Sequence, residues 1–254
     1  MTFLDNLVSI VIPFYKAEET IETCLDSVLY QTIMASEIVI VVDGCDDYTL
    51  REICKKDKYK LLKFKIINIR KNSGPSVARN LGIENSNSEF IAFLDADDCW
   101  HQRKLELQTK VMLDKNIDFL CHKYDFFGLK TFYSGFSLIK IKRYNLAFRT
   151  YIFTPTVMVK KNKFIGFPVD LKHSEDYYCW LSNIGSDFYL MDCYLANGHK
   201  KPIGESGLSS NIYEMHKGFI NANLKLLKEK KISLFYFILC MFLEYLKFPV
   251  RYLR

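Results

Sequence analysis

Several patterns that would narrow the function at once are missing from this 254-residue chain. The eight cysteines are scattered with no CxxC pair and no regular spacing, so neither a zinc site nor a disulfide framework is signalled, and reduced thiols are expected. The five histidines form neither HxxxH nor HExxH, which leaves catalytic zinc without support. No glycine occurs between Val8 and Glu19, so no glycine-rich phosphate loop opens the chain. There is no Pro/Gly-rich linker, low-complexity tract or internal repeat to mark a firm domain boundary. The opening Met1-Thr-Phe-Leu-Asp-Asn lacks the basic region, long apolar run and cleavage site of a secretory signal, so a cytoplasmic protein is expected.

What is present is a globular composition, 49% hydrophobic and 25% charged, with a net charge of +6 that points to an anionic partner. The cations gather late. Lys225, Lys228, Lys230 and Lys231 precede the apolar run Ile232 to Leu243, and Lys247, Arg251 and Arg254 follow it. That run is too short to span a ~30 Å hydrocarbon core, and extending it to Leu246 takes in Glu244. Two readings stand: an interfacial helix on anionic lipid, or a terminal helix packed on the body of the protein.

The first half alternates in type. Val8-Ser-Ile-Val-Ile-Pro13 reads as a strand and Glu18 to Gln31 as a helix, with apolar residues at Ile21, Leu25, Val28 and Leu29. Glu37 to Asp43 is a second strand, Tyr48 to Lys56 a second helix and Phe64 to Ile69 a third strand. Ser76 to Asn85, entered through Asn72-Ser-Gly-Pro75, is a third helix, and Phe90 to Leu94 a fourth strand. Short continuous apolar strands separated by helices imply an α/β fold with a mostly parallel sheet covered on both faces. After Asp98 the alternation fades; Trp100 to Leu113 is expected to be helical, followed by mixed Tyr- and Phe-rich segments through Val159.

Ligands of such sheets bind outside the carboxyl ends of the strands. Pro13-Phe-Tyr15, Asp43-Gly-Cys-Asp46-Asp47 and Asp95-Ala-Asp97 all begin where a predicted strand stops. The last is the most informative, because Glu89-Phe-Ile-Ala-Phe-Leu-Asp95-Ala-Asp97, extended by Asp98, runs an apolar strand straight into carboxylates that need a compensating cation. Mg²⁺ or Mn²⁺ suits these oxygens, taking one or two protein carboxylates and filling the other positions with water and phosphate oxygens. A solvated acidic turn capping the next helix is the alternative. Together the strand ends describe a nucleotide pocket.

The ordered series Ser9-Ile-Val-Ile-Pro-Phe-Tyr, Val42-Asp43-Gly-Cys-Asp-Asp47, Asn72-Ser-Gly-Pro-Ser-Val-Ala-Arg79-Asn80-Leu-Gly82, Asp95-Ala-Asp97-Asp98 and Glu175-Asp176 closely resembles glycosyltransferase family 2, over roughly Val8 to Trp180. The later Gly204-Glu-Ser-Gly-Leu-Ser-Ser-Asn211 with Met215 is similar to bacterial members that build lipopolysaccharide, O-antigen or capsule oligosaccharides.

The resemblance implies a GT-A fold, Rossmann-like with a central sheet flanked by helices, an NDP-sugar donor and inversion at the anomeric carbon. It assigns Pro13, Tyr15 and Asp43 to the nucleoside; where the family often has two consecutive acids, the first position here is Val42. Arg79 is carried over as a partner of the nucleotide or its pocket, or as an ion-pair partner of Asp43 or Asp95. Gly74 allows close backbone approach and Gly82 close helix packing. Asp97 is the expected metal ligand, Asp95 contacts ribose or a metal-bound water, and Asp98 supports them or caps the following helix. Asp176 is implied as the base and Glu175 as shaping the acceptor site. His199 with Lys200 would close over the diphosphate, or form a solvated basic loop. Trp180 would stack on sugar or base, or belong to the core.

These implications lead to a metal-dependent hexosyltransferase that moves sugar from a UDP-sugar to a lipid-linked saccharide acceptor at the inner face of the membrane, with no nucleic-acid partner. The expected organisation is a glycosyltransferase domain over 1–221, with a nucleotide-binding half about 1–100 and an acceptor half about 101–221, then a basic, apolar helical segment over 222–254. A nucleotidyltransferase making NDP-sugars is the competing enzyme class, disfavoured by the missing glycine-rich loop. A non-catalytic nucleotide-sugar-binding subunit is the competing non-enzyme.

Overall fold

The computed structural model describes residues 4, 6–126, 135–148, 151–183, 188–198 and 211–252. Its first half follows the alternation read from the sequence: β1 (Val8–Phe14), α1 (Ile21–Leu29), β2 (Glu37–Asp43), α2 (Tyr48–Cys54), β3 (Phe64–Ile69), α3 (Pro75–Glu84) and β4 (Phe90–Phe93). β-Branched side chains fill β1 and β2, and parallel ladders join β3 to β2, β2 to β1 and β1 to β4. Successive residues of β1 point to opposite faces, so Ile10 and Ile12 enter one core while Val11 enters the other. Helix α3 packs close on this strand. A Cβ at Gly82 would stand 2.4 Å from Val11 Cγ1, which explains why only glycine fits there.

The second half is less regular: β5 (Asp98–Trp100), α4 (Lys104–Lys115), β6 (Phe119–Asp125), β7 (Leu138–Lys140), α5 (Arg143–Phe148), β8 (Met158–Lys160), α6 (Glu175–Asn183), β9 (Phe188–Gly198), α7 (Ile212–Lys228) and α8 (Leu234–Tyr252). All the strands join one sheet in the order β3-β2-β1-β4-β8-β6-β9-β5, with β7 also on β9. Beyond β4 the sheet is mixed: β8 runs antiparallel to β4 and β6, β6 and β9 are parallel, and β5 and β7 lie antiparallel on β9. The helix expected from Trp100 begins only at Lys104, because β9 recruits 98–100 as an edge strand, pairing Asp98 with Gly198 and Trp100 with Ala196. Asp98 therefore does not cap α4; Arg103 holds that position.

Trp180 has no exposed surface and packs among Phe93, Phe164 and Phe167, at centroid separations of 5.5–6.5 Å. It belongs to the core, the second of the two placements the sequence allows. Trp100 is buried as well, donating its indole N–H to the Pro155 carbonyl at 2.8 Å.

Helices α7 and α8 form an antiparallel pair against α5 and α6. The inner face of α8 carries Tyr236, Cys240 and Glu244, one turn apart and all buried. The Tyr236 hydroxyl donates to the Arg143 carbonyl at 3.0 Å, and Tyr177 of α6 donates to Asn223 Oδ1 of α7 at 3.1 Å. The residues on either side of position 221 thus belong to one helix. No helix among the described residues is long and apolar enough to cross a membrane.

Candidate active site

Strand β4 ends opposite Val11, while β1 runs on to Phe14 and stays paired with β2. The chain separates there, and a cleft of about 920 Å³ opens at the carboxyl ends of the parallel strands. Pro13, Tyr15, Asp43, Gly74, Arg79, Asp95, Asp97 and Glu175 line it, so most of the residues singled out in the sequence converge on one wall system. Tyr15 offers a half-exposed ring to that space.

Asp43, at the last position of β2, is almost fully buried, and its two oxygens accept the backbone N–H groups of Ser73 and Gly74 at 2.7 and 2.8 Å. It clamps the loop that leads into α3. A carboxylate has about four acceptor sites, so this clamp leaves capacity for a ligand. Gly74 has φ +92, a conformation L side chains rarely adopt, and a Cβ there would meet nothing within 4 Å. Its requirement for glycine is conformational.

Arg79 on α3 is the buried cation of the site. Its Nη2 donates to Asp95 Oδ1 at 2.8 Å, its Nη1 lies 3.8 Å from Glu175 Oε1, and its guanidinium covers the Phe167 ring at 5.3 Å. Burial alone would favour the neutral form, but Asp95 and Glu175 outweigh it and hold the guanidinium charged. Neither Nε nor Nη1 has a hydrogen-bond partner. Both atoms are sealed from solvent, so Arg79 acts on an anion in the cleft chiefly through its charge.

Glu175 and Asp176 open α6 immediately after Ser174, a buried residue held at φ +60. Asp176 turns back so that Oδ1 accepts the Tyr177 N–H at 2.7 Å. Burial pushes both carboxyls above their ordinary range: Glu175 rises to about 7, with Asp176 adding to the effect and Arg79 opposing it. For Asp176, burial raises the value and the Tyr177 N–H lowers it. Of the two, Glu175 lines the cleft and Asp176 lies just behind it; a carboxylate whose value burial raises is a stronger base once ionised.

Asp98 lies apart from this group. It is buried in β5 and accepts the Tyr124 hydroxyl at 2.5 Å, tying two strands of the sheet rather than facing the cleft. His199 and Lys200 lie outside the described residues.

The lining also holds residues to which the sequence assigned no site role: Lys16, Glu18, Glu19 and Asn72. Lys16 sits at φ +50 with Nζ 5.3 Å from the Tyr15 ring centroid. It is the cation in the stretch directly after the first strand, which was the available signal. Six carboxylates and two cations, Lys16 and Arg79, line the cleft. A nucleoside diphosphate entering such a surface needs added positive charge. Among the described residues no group of three or more His, Cys, Asp or Glu side chains converges on a point. That donor set fits a hard divalent ion held by one or two carboxylates, Asp97 with Asp95 beside it, and completed by water and phosphate oxygens.

This mixed sheet, with its cleft at the ends of β1, β2 and β4, has the GT-A architecture. The chain superimposes on Staphylococcus aureus TarS 1-349 in complex with UDP-GlcNAc with a TM-score of 0.69 at 20% identity, over 87% of this chain and 66% of that one. It matches the mannosyltransferase PcManGT from Pyrobaculum calidifontis, in complex with GDP-Man and Mn²⁺, with a TM-score of 0.64 at 16% identity, over 88% and 65% of the two chains. It thus spans about two thirds of the length of these structures. Residues 9–169 match the glycosyl transferase family 2 signature, and the chain belongs to that family. It is 31% identical over 218 residues to the Escherichia coli UDP-Glc:alpha-D-GlcNAc-diphosphoundecaprenol beta-1,3-glucosyltransferase WfgD, covering 83% of this chain and 82% of WfgD.

Proposed function

We propose that this glycosyltransferase transfers a hexose from a UDP-sugar to a hydroxyl of a lipid-linked saccharide, with inversion, during assembly of a bacterial surface polysaccharide such as O-antigen or capsule. The observation that carries the reading is the convergence of Arg79, Asp95, Asp97 and Glu175 on one cleft at the strand ends. WfgD, whose name specifies a UDP-glucose donor and a diphosphoundecaprenol-linked acceptor, supports the choice of donor and acceptor.

In this reading residues about 1–100 form the nucleotide half and about 101–221 the acceptor half, ahead of the basic helical segment over 222–254. Tyr15 stacks on the base, Asp43 and Pro13 border the nucleoside, and Gly74 keeps the backbone clear of it. Asp97 would hold Mn²⁺ or Mg²⁺, with Asp95 contacting ribose or a metal-bound water; the ion would supply Lewis-acid stabilisation of the departing diphosphate. The charge of Arg79, together with that of Lys16, favours the phosphate oxygens. Asp176 takes the proton of the acceptor hydroxyl, and Glu175 shapes the acceptor side. A hydroxyl activated this way attacks opposite the leaving group, so no covalent sugar-enzyme intermediate is needed. A lipid-linked acceptor brings the reaction to the cytoplasmic membrane surface.

The test is nucleotide release from a panel of UDP- and GDP-sugars with Mn²⁺, repeated with polyprenol-diphosphate-linked sugars. Selective UDP release, stimulated by such an acceptor, is expected. Asp97→Ala should remove metal-dependent turnover while the melting temperature stays within a few degrees; turnover unchanged by chelator in the wild type would overturn the metal assignment.

A further inference from the structure

Helix α8 has two faces of opposite fate. The inner one is spent on the fold, through Tyr236, Cys240 and Glu244. On the other side Leu234, Phe235, Ile238, Phe242, Tyr245 and Leu246 are each 56–69% exposed. Their spacing of three and four residues puts them on one stripe, roughly 18 Å long at 1.5 Å per residue. Single exposed apolar residues are ordinary, but an unbroken row of six large ones is not.

The acid in this helix has been removed from the outer surface. Glu244 points inward, where His216 of α7 meets it with Nδ1 3.0 Å from Oε1, and the His216 ring stacks on Phe248 at 4.1 Å. No charged residue interrupts 232–243. Just ahead of α8, at the end of α7 and in the turn that follows, Lys228 and Lys230 are exposed, and Glu229, the acid between them, is tied to Lys231 at 2.8 Å. Lys247 lies near the other end.

We propose that this stripe is a docking surface for an anionic phospholipid bilayer, with α8 lying in the plane of the interface and the lysines that flank its apolar run at the headgroups. Charge decides between lipid and a second copy of the chain. Whichever way a two-fold axis runs, self-pairing of the face brings the lysines of one copy toward the lysines of the other, whereas anionic headgroups neutralise them. The geometry also serves the reaction. Tyr177, next to Asp176, bonds Asn223 on α7 and contacts Cys240 Sγ on the inner face of α8 at 3.6 Å. Docking through α8 therefore fixes the start of α6 relative to the surface from which a lipid-linked acceptor is presented.

The experiment is flotation of the full chain with vesicles of phosphatidylglycerol and phosphatidylethanolamine, and separately with phosphatidylcholine alone. Wild type should float with the anionic vesicles and much less with the neutral ones, and salt should weaken the binding. Phe235→Glu with Phe242→Glu should abolish flotation. Lys228→Glu with Lys230→Glu should weaken it by about thirtyfold or more. All substituted positions are exposed, so melting temperature and UDP release in solution should match wild type, which separates failure of this proposal from failure of the transfer reading. Undiminished flotation of the Phe235/Phe242 variant, or a wild type that stays free of anionic vesicles and forms a dimer broken by the same substitutions, overturns it.

Discussion

Arg79 stands between Asp95 and Glu175, 2.8 Å from one and 3.8 Å from the other, and so joins the acidic end of β4 to the start of α6 across the cleft. A lysine keeps the charge but not the planar fork. Arg79→Lys should therefore weaken UDP binding in Mn²⁺ by about tenfold or more, the cost of one to two charge-assisted hydrogen bonds. Calorimetric titration with UDP reads this directly. Equal affinity in the variant would confine Arg79 to holding the loops together.

Glu175 gives a pH signature. Its carboxyl rises from the ordinary 4.5 to about 7 because burial and Asp176 penalise the anion more than Arg79 favours it. A raised carboxyl favours the folded state when protonated; that contribution is complete below pH 4.5 and disappears as pH rises through about 7. The native protein thus carries the cost of a buried anion above neutrality. Because Asp176 shares the titration, about 1–3 kcal/mol is a reasonable size. Glu175→Gln removes the anion, so its stability relative to wild type should grow as pH rises from 5 to 8 and vanish below pH 4.5. Denaturant melts at several pH values check the trend; a difference independent of pH would contradict it.

The legibility of this chain divides at Asp98. The strands β1 to β4 could be read because each is a continuous apolar run that must be covered on both faces, and their ends brought Asp43, Asp95 and Asp97 together without any tertiary information. The second half resisted for physical reasons. Strand β5 is three residues long and exists only because β9 pairs with it, a contact some hundred residues away in sequence. Strand β6 contains His122 and Lys123, and its register against β9 shifts at those positions, so neither period nor composition marks it. For Asp98 and Trp180 the sequence left a ligand-site role open beside a structural one, and the structure takes the structural side. Their residue types fit a ligand site, but one bonds Tyr124 within the sheet and the other completes an aromatic core. The clamp of Asp43 on Ser73 and Gly74 needed a loop placement that local sequence does not encode.

The close seat of α3 on β1 can be tested by volume. A methyl at Gly82 would fall 2.4 Å from Val11 Cγ1, inside the core and against a β-branched side chain with little rotamer freedom. Gly82→Ala should destabilise by about 1–3 kcal/mol, as overpacked cores do. Val11→Ala is destabilising by itself, but combined with Gly82→Ala it makes room for the new methyl, so the double variant should be more stable than the sum of the two effects. Additive effects would mean that α3 shifts away from the strand instead.

Asp176→Asn separates the chemistry from the fold most cleanly. Asparagine keeps a side-chain oxygen at the position from which Asp176 accepts the Tyr177 N–H, so the first turn of α6 is preserved. It also removes a partly buried negative charge whose ionisation burial already disfavours, so no loss of stability is expected. What it cannot do is accept a proton. Transfer to acceptor should fall by about 10²- to 10⁴-fold, the usual contribution of a positioned base, while UDP affinity stays within about twofold of wild type. Product formation at saturating donor and UDP titration must be measured on the same preparation, because a fall in both would place Asp176 in donor binding. Near-normal turnover with intact binding would remove it as the base and leave Glu175, 3.8 Å from the Arg79 Nη1, as the carboxylate to substitute next.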